Sequence, residues 1–190
     1  MAIGSQCGED AVFEEFFGAQ EEGFVVDVGA ADGQDNSNSW KLIQKGWGGI
    51  LLEPDPEQYK ELDARYSSTP RVITMSIAAG TETGLKPFYS CRQVLTFSTD
   101  WRDRCVEAYD VSYTESMITV LRLQFILESL NCPKEIDLLS IDCEALDVDV
   151  LNSLDLSIYS PRLICMECGT DIPGYELYHK TCGNSIYRRL

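Results

Sequence analysis

The chain has 190 residues, 44% of them hydrophobic, with 31 Asp and Glu against 15 Lys and Arg and a formal net charge of −16. That length supports one domain with its own core, and that charge argues against a nucleic-acid backbone or an anionic membrane surface as partner. No apolar stretch approaches a membrane span and no basic-then-apolar leader opens the chain, so the expectation is a cytoplasmic protein whose 8 cysteines are mostly free, buried thiols.

Gly8-Glu9-Asp10 opens a helical pattern in which Val12, Phe13, Phe16 and Phe17 share one face, with acids in the first turn. Residues 24–27 predict the first strand. The turn Asp27-Val28-Gly29-Ala30-Ala31-Asp32-Gly33 leads to a helix around 39–45, which Gly46, Gly48 and Gly49 end before a second strand over 50–53. Pro54-Asp55-Pro56 then starts a helix carrying Tyr59 and Leu62 inward, with Pro56 suited to its first position. Residues 72–79 predict a third strand and 86–89 a short one. Residues 90–117 are polar and aromatic and predict an irregular segment, a candidate substrate-covering insert within a single domain spanning 1–190. A helix over 121–130, a strand over 136–141, a helix over 146–154 and a strand over 162–167 follow. Residues 175–179 and 185–189 predict a hairpin across Gly183-Asn184. Strands alternating with helices and closed by a hairpin indicate an α/β fold, a doubly wound, mostly parallel sheet with an antiparallel edge and helices on both faces.

Four of the apolar runs end on a carboxylate: Asp27, Glu53, Asp142 and Glu167. In open α/β sheets, ligands bind in the crevice beyond the carboxyl ends of parallel strands, so four acids delivered to one rim describe a site. The glycine turn suits a nucleotide-like ligand, because glycine lets the backbone approach closely. Its spacing is Gly29-x-x-x-Gly33, not G-x-G-x-x-G, and a pyrophosphate there would meet Asp27 and Asp32. Both features argue against NAD or FAD and favour a cationic ligand. Glu53 stands 20 residues after Gly33, where an acid commonly takes a ribose hydroxyl pair. Adenosine ribose with a cationic, phosphate-free tail describes S-adenosylmethionine. Its candidate contacts are Asp27, Gly29, Ala30, Asp32, Gly33, Glu53, Pro54 and Asp142. The alternative is that Asp27 and Asp32 only brace a tight turn.

The sequence also resembles the FkbM-type S-adenosylmethionine-dependent methyltransferases over nearly its whole length. The resemblance runs through Ser5-Gln6-Cys7-Gly8-Glu9-Asp10, the glycine turn, Trp47-Gly48-Gly49-Ile50-Leu51-Leu52-Glu53-Pro54 and Asp137-Leu138-Leu139-Ser140-Ile141-Asp142-Cys143-Glu144. It continues through Pro161-Arg162-Leu163-Ile164 with Glu167, and Gly183-Asn184-Ser185-Ile186-Tyr187. It implies a Rossmann-like methyltransferase fold with strand order 3-2-1-4-5-7-6, and methyl transfer to a hydroxyl, often on a sugar or natural product. Ala145 departs from the glycine usual at that point of the family block, which would tighten the pocket or narrow the substrate choice.

Asp142 and Glu144 share a side if the backbone stays extended, and they are the candidate catalytic base, with raised pKa values expected where like charges crowd one rim. Asp142 as a cap of the next helix is the structural alternative. A hard divalent ion on Asp142, Glu144 and Glu167 is the chemical one, and the expectation is that no metal is bound. Cys165-x-x-Cys168 and His179-x-x-Cys182 carry zinc-ligand types. Residues three apart on a strand face opposite sides, however, so buried thiols are preferred. His179, the 1 histidine, reads as an edge-strand residue. In the insert, Phe97, Trp101 and Tyr109 with Thr96, Ser98 and Asp100 offer contacts to an acceptor, and Arg102 and Arg104 would attract an anionic one. The function expected is an O-methyltransferase acting on a small hydroxyl-bearing acceptor or glycan. Its rivals are a cofactor-binding interaction domain without catalysis, and a nicotinamide-dependent oxidoreductase.

Overall fold

A computed structural model of the chain describes residues 3–91, 94–97, 99–109, 112–143 and 146–190. The first elements are β1 (Gly4–Ser5), α1 (Glu9–Phe17), β2 (Phe24–Val28), β3 (Asp35–Asn36), α2 (Trp40–Gln44), β4 (Gly48–Leu52), α3 (Pro56–Tyr66) and β5 (Val72–Met75). The middle of the chain forms β6 (Ala78–Ala79), β7 (Gly84–Cys91), β8 (Val94–Thr96), α4 (Thr99–Tyr109) and β9 (Thr114–Leu121). The last third supplies α5 (Leu123–Ser129), β10 (Leu138–Ile141), α6 (Asp147–Asn152), β11 (Leu163–Met166), β12 (Tyr175–Lys180) and β13 (Ser185–Arg189).

The main sheet has 7 strands in the order β5-β4-β2-β10-β11-β13-β12. Numbered along the chain, its strands run 3-2-1-4-5-7-6, the first five parallel and β13 antiparallel to both neighbours. Both faces are covered, which is why the strands are apolar throughout rather than alternating. Val25, Leu51, Leu138 and Leu163 pack with Phe13, Leu42 and Leu62 from α1, α2 and α3. On the other face Val26, Leu52, Leu139 and Ile164 pack with Leu127 and Val150 from α5 and α6. α3 starts as its sequence predicts: Pro56 occupies the first turn, and the Asp55 carboxylate accepts from the Glu57 and Gln58 N–H groups.

Three expectations are corrected. Residues 72–79 do not form one strand: β5 ends the main sheet at Met75, and β6 enters a second sheet ordered β6-β9-β7-β8. The described residues of 90–117 are not irregular, because they hold the end of β7, β8, α4 and the start of β9. β7 and β9 pair antiparallel, turning Phe88 and Ile118 inward onto Ala78 and Val120 while Leu85 and Met117 are exposed. Of the acceptor residues expected there, Ser98 lies outside the described residues, and Trp101, Arg102, Arg104 and Tyr109 lie in α4, where Arg102 stacks over the Tyr89 ring 4.4 Å from its centroid.

The third correction concerns the cysteines. Cys7 and Cys182, 175 residues apart, are joined in a disulfide, whereas Cys132, Cys143, Cys165 and Cys168 are free thiols. The N-terminal edge of α1 and the tip of the β12–β13 hairpin meet at one corner of the sheet, a proximity that sequence spacing hides. Cys182 is thereby removed from any zinc set, and among the described residues no group of three or more His, Cys, Asp or Glu gathers to hold a metal. His179 lies in the edge strand β12. No helix among the described residues is long and apolar enough to cross a membrane.

Candidate active site

The parallel register brings Val28, Leu52, Ile141 and Met166 to one level, each the last residue of its strand. The residues that follow, Gly29, Glu53, Asp142 and Glu167, therefore open four loops along one rim. Asp27 sits one position inside β2 and is buried.

The turn after β2 is built by backbone. The N–H groups of Gly29 and Ala30 both donate to the Leu52 carbonyl, at 2.9 and 3.0 Å, binding the turn to β4. Gly29 has φ +83°, and a Cβ placed on it would run into the carbonyl oxygen of Asp142. The loops after β2 and β10 thus touch backbone to backbone, and the Asp142 N–H donates to the Val28 carbonyl at 2.9 Å. Only glycine meets both demands, the left-handed φ and the absent side chain. At the far side of the turn, the Tyr66 hydroxyl donates to the Gly33 carbonyl at 2.6 Å.

The carboxylates here have separate duties. Asp27 accepts from the Ser39 hydroxyl at 2.6 Å, and burial raises its pKa against the hydrogen bonds from Ser39 and Ser140. Buried Asn38 donates to the Ser140 hydroxyl, so a small polar network lies under the rim. Glu53 is 1% exposed and accepts the Ala31 N–H on one oxygen, at 2.9 Å, and the Asp55 N–H on the other, at 2.7 Å. Burial, then the charges of Asp55 and Asp27, raise it to about 7 against those hydrogen bonds. Each of its oxygens keeps a second lone pair for a hydroxyl. Asp32 braces the turn, accepting from the Gln34 and Asp35 N–H groups and pairing with Arg65 at 3.3 Å. Arg65 also donates to the Asp32 carbonyl.

Asp142 is exposed on the rim. α6 begins after Leu146, whose side chain makes no cap. Glu144 and Ala145 lie outside the described residues. Glu167 is exposed, and partial desolvation together with Asp147 raises its pKa.

Asp147 is the residue sequence reading missed. It is fully buried, accepting the Cys143 N–H on one oxygen at 2.9 Å and the Glu167 and Cys168 N–H groups on the other at 2.9 and 3.1 Å. One carboxylate therefore ties the loop after β10 to the loop after β11. The signal available was an acid in the first turn of the helix that follows the Asp142 loop.

A cavity of about 540 Å³ lies along the connection after β11 and the hairpin, lined by Thr170, Asp171, Ile172, Tyr175, Leu177 and Tyr187 among others. None of its lining belongs to the glycine turn. It opens where β11 passes to β12 without an intervening helix among the described residues, leaving Leu177 56% exposed.

The rim gathers a close-packed glycine turn and carboxylates at the ends of adjacent strands. The turn is shaped by a glycine whose Cβ would collide, its acids repel phosphate, and Glu53 presents a carboxylate one strand away. Comparison with known proteins gives the family and the fold. Residues 27–180 match the model of the methyltransferase FkbM domain. The solved methyltransferase FkbM of Methylobacillus flagellatus KT is 17% identical with TM-score 0.56, over 88% of this chain and 44% of that one. A putative methylase of Haemophilus influenzae (12% identity, TM-score 0.54) aligns over 97% of this chain and 89% of that one. A putative methyltransferase of Escherichia coli (9% identity, TM-score 0.51) aligns over 95% and 85%. At these identities the structures show a shared fold, and this chain spans less than half the length of the Methylobacillus protein. No curated protein sequence matches the chain.

Proposed function

Because this chain belongs to the methyltransferase FkbM family, we propose that it binds S-adenosylmethionine at the rim of β2 and β4 and transfers its methyl group to a hydroxyl of a small acceptor or glycan. The observation that carries this reading is Glu53, buried at the end of β4 and raised to about 7 beside a glycine turn that admits no Cβ. A carboxylate in that place accepts the two ribose hydroxyls, while Asp27 and the rim acids oppose phosphate and favour a sulfonium.

Bound there, the cofactor supplies an electrophilic methyl group. What the chain adds is alignment and a place for one proton. Gly29 and Ala30, fixed by the Leu52 carbonyl, hold the turn against the nucleoside. Asp147 fixes the loops after β10 and β11 relative to each other, so that acids at 142 and 167 keep their spacing. Asp142 or Glu144 takes the acceptor hydroxyl proton in this proposal. The cavity along the connection after β11, with its tyrosines and Asp171, suits a hydroxyl-bearing acceptor. The proposal requires no metal.

Calorimetric titration with S-adenosylmethionine and, separately, NADH tests the reading. Saturable binding of the first alone is expected, weakened at least about tenfold by Asp27→Asn and by Glu53→Gln, the loss of one charge-assisted contact. Binding of NADH, or S-adenosylmethionine binding indifferent to both substitutions, would overturn it. In a methyl-transfer assay, Asp142→Asn with Glu144→Gln is expected to abolish turnover while S-adenosylmethionine still binds saturably. Turnover surviving both changes removes them as the base.

A further inference from the structure

Residues 3–10 form a strap along the rim. At one end β1 pairs in parallel with β3, and the Gly4 N–H donates to the Gln34 carbonyl at 2.9 Å, immediately past the glycine turn. Asp10 accepts the Ser5 N–H and pairs with Lys41 at 3.2 Å. At the other end Cys7 is bonded to Cys182, and Glu9 accepts from Thr181 at 2.5 Å and Asn184 at 3.0 Å. Those partners form the tip of the β12–β13 hairpin. Ser185, which follows the tip, is in register with Met166 at the end of β11. Val28, Ile141, Met166 and Ser185 thus lie in one line across the sheet, and the strap joins the loop beside the first to the loop beside the last.

We propose that the Cys7–Cys182 pair is a redox-modified latch: closed, it pins the strap between the glycine turn and the hairpin tip, and opened by a dithiol it frees the strap and speeds exchange of the nucleoside held at that turn. The second half of this rests on the reading of the turn as the S-adenosylmethionine site. Glu9 is fully buried, and hydrogen bonds from Asn184, Thr181 and the backbone outweigh its burial and hold its carboxyl below the ordinary range. It anchors the strap only at the hairpin tip. At the glycine turn the strap has a two-residue ladder, and so short a pairing is marginal without a covalent neighbour. The latch therefore decides how often the strap lifts.

The chemistry is thiol–disulfide exchange. Cys182 is exposed and Cys7 half-buried, so a thiolate of the reductant attacks Cys182 Sγ. The S–S bond breaks, and its electron pair leaves on Cys7 Sγ, which takes a proton. The reductant's second thiolate then displaces Cys182 Sγ, which is protonated in turn. The protein gains two electrons and two protons, and the dithiol becomes a disulfide. Cys132, Cys143 and Cys165 do not compete, because burial pushes their thiols up and keeps them unreactive.

The test compares the full chain before and after dithiothreitol, with alkylation mapping of Cys7 and Cys182 and hydrogen exchange of residues 3–10 against residues 24–28. Reduction is expected to raise exchange in the strap by about tenfold or more while the β2 amides hold. Cys7→Ser should reach the same open state without reductant, with Cys182→Ser as the independent route should that variant fold poorly. Release of S-adenosylmethionine, followed by stopped flow, should quicken several-fold in every open form. Strap amides that exchange alike in both states overturn the latch, as do two cysteines that alkylate freely even after oxidised dithiothreitol. A strap that loosens while the cofactor binds neither form supports the latch and overturns the cofactor reading. A loosened strap with equal release rates overturns the coupling and leaves the cofactor reading standing.

Discussion

Glu53 lies within the physiological range because burial outweighs its two backbone hydrogen bonds, with Asp55 and Asp27 adding to the rise. Its pKa in the folded protein, about 7, stands above the ordinary 4.5, so the stability it contributes is complete below pH 4.5 and is lost as pH rises through about 7. Unfolding free energy should fall across that window with a slope of at most about 1.4 kcal/mol per pH unit. Glu53→Gln should flatten it, as denaturant titrations from pH 5 to 8 will read. For the proposed ligand the sign reverses: the ionised carboxylate accepts ribose hydroxyls, so affinity should rise up to about tenfold per pH unit below pH 7 and level above it. An affinity flat across that range would remove Glu53 from ligand contact. Two neighbours act through structure. Gly29→Ala forces a Cβ onto the Asp142 carbonyl at φ +83° and should cost about 3 kcal/mol or more, with loss of cofactor binding. Asp147→Asn keeps one acceptor oxygen for three N–H donors and should cost about 1–3 kcal/mol, read as a lowered denaturation midpoint. Glu53 and Gly29 were legible in the sequence, because an acid after an apolar run and a glycine after an acid mark strand ends. Asp147 was not, because nothing local says which backbone groups a buried acid will face.

Among the elements, those with both faces buried were the readable ones. The runs at 24–28, 48–52, 138–141 and 163–166 are continuous apolar strands, and all four are buried along almost their whole length. The second sheet was harder because only one of its faces is covered. In β7, Pro87 interrupts the donor pattern and Leu85 faces outward, while β9 opens on Thr114, Glu115 and Ser116. α4, with the sequence TDWRDRCVEAY, lacks the apolar period that announces a helix. The disulfide joins two elements that no local pattern connects. Closing a loop of that length should stabilise the fold by about 2–5 kcal/mol through the unfolded state. Chemical denaturation with and without reductant should show that difference, and Cys7→Ser should cancel it.

At the scale of the whole molecule, the net charge of −16 acts on any cationic ligand before contact. Association of S-adenosylmethionine should slow as ionic strength rises from about 0.02 to 0.5 M, because the Debye length shrinks from roughly 20 Å to below 5 Å. A rate independent of salt would mean that the rim acids exert no steering. A doubly wound sheet with an antiparallel edge was legible from strand and helix alternation, since parallel strands require crossovers and an antiparallel hairpin does not, whereas the strand order came only with the family resemblance. What alternation does not carry is the tie between Cys7 and Cys182, and that alters the protein as a mechanical object. With Cys7 bonded to Cys182, residues 7–182 form a closed ring, and a load applied outside them passes through the covalent bond rather than through the sheet between them. β1, held by a two-residue ladder, would peel before β13, which is paired on both sides. Reduced, the same load would draw out the contour between those two residues, roughly 600 Å.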